Sequence, residues 1–170
     1  MTRLTDADFA AVFATRVRPL RRTAFLLCGD WNRAEDLVQT TFVRTYAGWS
    51  RVRDLRAVDA YLRTTLTHVY LDDSRRLWSG ERPTEVVPDV AVASTTSSTD
   101  DRLVLVAALA TIPPRQRACV VLRYFDDCSV EETARALGCS EGTVKSNTAR
   151  GLDALRARLD TDLSLRSTAP

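Results

Sequence analysis

Ser129–Arg156 reads SVEETARALGCSEGTVKSNTARGLDALR, and the fold follows from its punctuation. Ser129 with Glu132 three residues later is a capping box, in which hydroxyl and carboxylate each take up an amide that the first helical turn leaves unpaired. Gly138 supplies a left-handed stop, and Ser140 caps a second helix. In that helix Val144, Thr148, Leu152, Leu155 and Leu159 line one side at helical spacing. Helix, tight turn with glycine, helix is the helix-turn-helix pattern. Its second helix presents Lys145, Ser146, Asn147 and Arg150 away from the apolar stripe, where they can reach base edges and phosphates in a major groove. Ser140 and Thr143 at the helix start can hold a phosphate. A helical hairpin with a merely solvated face fits the same pattern.

Upstream, Asp101–Thr111 and Pro114–Phe125 read as two further helices, Pro114 suiting a first helical position where its missing N–H costs nothing. Before them, SGERPTEVVPDVAVASTTSSTD at 79–100 carries two prolines, a glycine and a Ser/Thr cluster with no apolar stripe, and so reads as a linker. Its VPDVAV is too isolated to pair as a strand.

The first 78 residues read as helices again. Thr5 with Asp8 caps the first, Pro19 is expected to kink or restart it, and Gly29 ends it. Asn32 with Glu35 is a second cap, opening a helix whose buried stripe is Ala34, Leu37, Val38, Thr41, Phe42 and Tyr46. Its opposite face shows Glu35, Asp36, Gln39 and Val43. An arginine-rich turn, GWSRVRD at 48–54, leads into a long helix from Ala57 to Trp78, with Leu62, Leu66 and Val69 inward and Arg63, Thr64, Thr67, His68 and Asp72 outward. The expectation is an all-α chain of two small helical domains, 1–78 and 101–165, on a flexible linker, 79–100.

Composition limits the function classes. With 45% hydrophobic and 27% charged residues the chain has the make-up of an ordinary globular protein. No apolar run approaches the ~20 residues of a membrane span. The start, MTRLTDADFAAVF, carries acids where a signal peptide would be basic, so the cytoplasm is the expected location. The net charge of +2 is unevenly spread: residues 1–78 hold 13 arginines against 9 acids, 79–100 one against 4, and 101–170 ten basic residues against 9. Two mildly basic blocks flank an acidic strip. Ten of the twelve aromatic residues precede residue 79. Trp49, Tyr61, Tyr70 and Trp78, interleaved with Arg51, Arg53, Arg63, Arg75 and Arg76, suit single-stranded nucleic acid, where bases stack on rings, and equally suit a small aromatic core. Cys28, Cys119, Cys128 and Cys139 contain no CxxC pair, and His68 has no partner at ligand spacing, so neither a metal site, a cofactor nor an enzyme is expected.

Four stretches carry a resemblance: AEDLVQTTFVRTY (34–46), AYLRTTLTHVYLDDSRR (60–76), IPPRQRACVVLRYF (112–125) and 129–156. In this order they resemble the successive blocks of extracytoplasmic-function sigma factors, small promoter-recognition subunits of bacterial RNA polymerase that keep only sigma domains 2 and 4. The arginine-rich composition is most similar to the sigma-E-like actinobacterial members. The resemblance implies core RNA polymerase, held at its β′ clamp and β flap, and promoter DNA as partners, and for many members an anti-sigma factor. It places Glu35, Asp36, Gln39 and Val43 on the polymerase-binding face, with Thr40 where an acid is usual. It places Ser50, Arg51, Arg53, Arg63, Thr64, Thr67 and His68 on the minus-ten element, where the 48–54 turn would capture a flipped base and His68 stands in for a usual Asn. Arg123, Ser140, Thr143, Lys145, Ser146, Asn147 and Arg150 match the minus-thirty-five reader. A stand-alone helix-turn-helix regulator is the competing reading, and it leaves the first 78 residues without a purpose.

Overall fold

The computed structural model describes residues 4–80 and 97–167; residues 81–96, which include VPDVAV, and the two extreme termini lie outside them, and the first helix after the gap starts at Ser97, four residues inside the expected 79–100 linker. Among the described residues there are seven α-helices and no strand: α1 Asp6–Cys28, α2 Trp31–Ala47, α3 Val58–Trp78, α4 Ser97–Ala110, α5 Pro114–Tyr124, α6 Val130–Leu137 and α7 Glu141–Ser167. Two short 3-10 turns, Trp49–Arg51 and Leu55–Ala57, join α2 to α3.

The helix ends follow the caps. Thr5 and Asp8 close their capping box, the Thr5 amide donating to the Asp8 carboxylate at 2.7 Å. Ser129 and Glu132 do the same for α6, again with 2.7 Å from the Ser129 amide. Gly29 and Gly138 take the left-handed conformation at φ 76° and 60°, which a residue without Cβ adopts at no steric cost. α1 runs through Pro19 unbroken. The ring sits on the exposed side of the helix, so water can take up the carbonyl that loses its amide partner. α2 begins earlier than Asn32 implies. Asp30 is the N-cap, its carboxylate accepting the Arg33 amide at 2.7 Å, because a carboxylate directly after Gly29 reaches the first turn better than the amide two residues on. Tyr46 is half-exposed, and Thr45 takes its place in the buried stripe, its hydroxyl satisfied by the Thr41 carbonyl at 2.8 Å.

α1, α2 and α3 form one helical unit, and α4 to α7 a second. The two pack on each other rather than standing apart, α3 against α5 and α6, and α1 against α4 and α5. Buried residues from both units form a single contiguous core, from Ala24 and Leu27 through Leu66 and Tyr70 to Leu109, Cys119 and Val144. α3 is therefore covered on two flanks: Leu62, Leu66 and Val69 face its own unit, while Thr67, Leu71 and Ser74, also buried, lie on the other side of the helix. Thr67 is only 1% exposed and donates to the Arg63 carbonyl at 2.8 Å. This corrects its assignment to the outward face, since the covering surface comes from residues more than fifty positions away.

α7 crosses α5 at Gly151. A Cβ there would lie 2.7 Å from Val120 Cγ2 and 3.2 Å from the Gln116 carbonyl oxygen. Changing Gly151 to Ala improves helix propensity by ~1 kcal/mol, but overpacking against a backbone carbonyl costs ~1–3 kcal/mol. We expect Gly151→Ala to destabilise the chain by roughly 1 kcal/mol, read as a lower urea midpoint at unchanged slope; a midpoint at or above that of the parent would refute the crossing.

Candidate nucleic-acid and polymerase interfaces

The outer face of α2 is set by the inward pull of Ala34, Leu37, Val38 and Phe42. Asp36, Gln39 and Val43 are left exposed at i, i+3 and i+7, with Val43 69% accessible. Glu35 is half-buried and ion-paired to Arg21. The Arg21 guanidinium also lies over Trp31, 5.8 Å from the ring centroid, and Trp31 stacks on Phe25 at 4.0 Å. Asp36, Gln39 and Val43 thus offer one acceptor, one amide and one apolar contact in a row, flanked by a carboxylate already engaged.

The 48–54 turn is anchored by Trp49. Its ring is buried, its Nε1–H donates to the Thr5 carbonyl at 3.0 Å, and Phe9 meets it edge-on at 5.2 Å. Ser50, Arg51 and Arg53 are exposed beyond this anchor. Arg51, Arg53, Arg63 and Thr64 converge on one cleft of about 380 Å³, which Tyr61 also lines. His68 is exposed one turn further along α3. The aromatic residues divide: Trp49 and Tyr70 are core, whereas Tyr61 and the 88% accessible Trp78 remain available for stacking.

In the second unit, Ser140 caps α7 by accepting the Thr143 amide at 3.1 Å, and the two hydroxyls lie 2.9 Å apart. Ser146 bonds back to the Thr143 carbonyl at 3.1 Å. Val144 is buried and pins the helix start, so Lys145, Ser146 and Arg150 stand exposed with Asn147 half-exposed beside them. Arg123, at the end of α5, donates to the Cys128 carbonyl and so braces the turn into α6. The sequence reading missed Arg117. It is 9% exposed and donates to the carbonyls of Leu27 at 2.6 Å, Ala110 at 2.8 Å and Ile112 at 2.9 Å. Desolvation lowers its pKa, yet an arginine starts so high that it stays charged.

Two family models match the chain in order: Sigma-70 region 2 over residues 12–80, and Sigma-70, region 4 over residues 102–155. The RNA polymerase sigma-E factor of Streptomyces antibioticus is 42% identical over 161 residues, which cover 94% of this chain and 89% of that protein. An ECF RNA polymerase sigma factor of Mycobacterium tuberculosis, SigM, is 34% identical over 89% of this chain and 74% of its own length. The chain belongs to the extracytoplasmic-function sigma factors. The sigma factor RpoE from Bartonella quintana, solved in complex with the anti-sigma factor NepR, superposes with a TM-score of 0.75 at 25% identity, over 91% of this chain and 98% of that one. In this sigma factor, region 2 occupies α1 to α3, the helices that a stand-alone regulator would leave unexplained, and region 4 occupies α4 to α7.

All four cysteines are free, and no metal-binding cluster occurs among the described residues. Burial pushes the Cys28, Cys119 and Cys128 thiols up to about 11, and the protonated thiol is a poor nucleophile at neutral pH. Only Cys139 is partly accessible. Titration with a chromogenic disulfide should therefore find one fast thiol in the native protein and four after denaturation. Two or more fast thiols in the native state would contradict the burial of Cys28, Cys119 and Cys128.

Proposed function

We propose that this sigma factor divides promoter recognition among three surfaces and performs no covalent chemistry. The exposed row Asp36, Gln39 and Val43, with Glu35 at its edge, meets the β′ clamp of core RNA polymerase, and region 4 meets the β flap. The arginine turn with Arg63, Thr64 and His68 takes the minus-ten element as single-stranded DNA. Its guanidinium groups follow phosphates while a base leaves the stack, at a cost of a few kcal/mol that pocket contacts offset. α7 reads the minus-thirty-five element in the major groove through Lys145, Ser146, Asn147 and Arg150, with the Ser140–Thr143 end on a phosphate. Arg123 supports this surface from beneath. The chain acts as an initiation factor, and an anti-sigma factor such as the one bound to the Bartonella relative is a fitting further partner.

The observation that carries this reading is the coexistence, on one chain, of an exposed acid-and-amide row on α2 and an exposed basic row on a capped helix-turn-helix. Run-off transcription from genomic fragments should need both core polymerase and this chain. Asp36→Ala with Gln39→Ala should weaken core binding about tenfold, the effect of losing ~1 kcal/mol of interface energy or slightly more. Lys145→Ala with Arg150→Ala should leave core binding intact and weaken promoter use, each lost base contact costing ~1–3 kcal/mol and relaxing discrimination at its base pair. If the two pairs behave alike, the division of labour is wrong.

A further inference from the structure

A second cleft, of about 390 Å³, runs along the seam between α1 and α4 and shares no residue with the clamp row, the arginine turn or the α7 row. Its walls are apolar: Phe25 and Leu26 from α1, Leu105 and Val106 from α4, and Phe125 just after α5. They are held in place from behind. Trp31 stacks on the Phe25 ring at 4.0 Å, and Arg117 ties the Leu27 carbonyl of α1 to the Ala110 carbonyl of α4. One end is stopped where α4 meets the C-cap of α1, since a Cβ on Gly29 would lie 3.8 Å from Val106 Cγ1. Away from the mouth the lining is polar at one point, where the Thr23 hydroxyl donates to the Asp126 carboxylate at 2.7 Å. Arg22 and Arg102 line the cleft and are exposed, one from each unit, and neither bonds a carboxylate among the described residues.

We propose that this cleft is a binding site for a small anionic amphiphile, a single aliphatic chain ending in a carboxylate, with the chain between Phe25 and Leu105 and the head group shared by Arg22 and Arg102. The chemistry of the two ends selects this class. Five apolar side chains favour a ligand that leaves water, and a preformed apolar cleft of this volume lies within the range of small-molecule sites. A guanidinium presents two parallel N–H donors to a carboxylate, so two arginines at one mouth favour an anionic head over a neutral or cationic one. Asp126 does not oppose it, because its carboxylate is turned to the Thr23 hydroxyl and faces the positive charge of Arg63. A partner's α-helix, ~10 Å across with its side chains, needs a groove open at both ends, and the contact of Val106 with Gly29 closes one of them. Arg22 and Phe25 belong to region 2, Arg102 and Leu105 to region 4, so the occupant touches both units at once and stabilises the folded chain by mass action.

The probes are hexanoate, octanoate and decanoate, titrated into the full chain at neutral pH below micelle-forming concentrations and read by calorimetry, with thermal unfolding as a second readout. Affinity should rise about fourfold for each CH₂ added until the cleft is full, the gain expected from burying one methylene. Decanoate should raise the unfolding midpoint, and decylamine should not displace it. Arg22→Gln with Arg102→Gln changes two exposed side chains, so the variant should fold. It should bind decanoate at least about tenfold more weakly while the dependence on chain length survives. Leu105→Trp, which fills the cleft, should remove binding; where that variant does not fold, the arginine pair still decides. Equal decanoate affinity in the parent and the arginine variant would overturn the proposal, as would equal affinity for hexanoate and decanoate, or no binding at all. Decylamine binding more tightly than decanoate would make Asp126 the anchor and overturn the assignment of an anion.

Discussion

Arg117 is charged, almost wholly buried, and bonded to three carbonyl oxygens rather than to a carboxylate. Burying an unpaired cation costs several kcal/mol. The carbonyls at the ends of α1 and α4 answer this because a helix C-terminus leaves its last acceptors unpaired and carries the negative end of the helix dipole. One guanidinium thus caps two helices from different units and fixes where α5 lies between them. The single core shared by the two units and the contact of α5 with α1 and α3 depend on α5 being held there. Hydrogen bonds to charged groups contribute ~1.5–3 kcal/mol each, so this one side chain rivals the burial of an apolar residue at the same place.

Much of the fold was legible because its signals are local. The capping boxes at Thr5–Asp8 and Ser129–Glu132, the left-handed Gly29 and Gly138, and Pro114 in a first turn depend on residues within four positions of one another, and all stand where their spacing puts them. Asp30 was passed over for Asn32 because both are good caps and only the three-dimensional turn after Gly29 chooses between them. The candidate site divides in the same way. Asp36, Gln39, Lys145 and Arg150 are exposed because the opposite faces of their helices are apolar, which periodicity shows. Thr67 is hidden by a surface contributed from beyond the linker, which periodicity cannot show. Arg117 left a faint trace: it lies three and four residues before Val120 and Val121, on an apolar face where an unpaired arginine has no business unless something buried receives it.

The energetic scale of the interface bears on how a sigma factor of this size works. Two small units cannot each bury much apolar surface. Leu71 and Tyr70 on α3 lie within the shared core. Packing region 4 against them adds apolar burial to both units at once. Parting the units therefore costs some of that burial, the 2.7 Å bond from the Thr23 hydroxyl on α1 to the Asp126 carboxylate, and the bond from Arg117 to the Leu27 carbonyl.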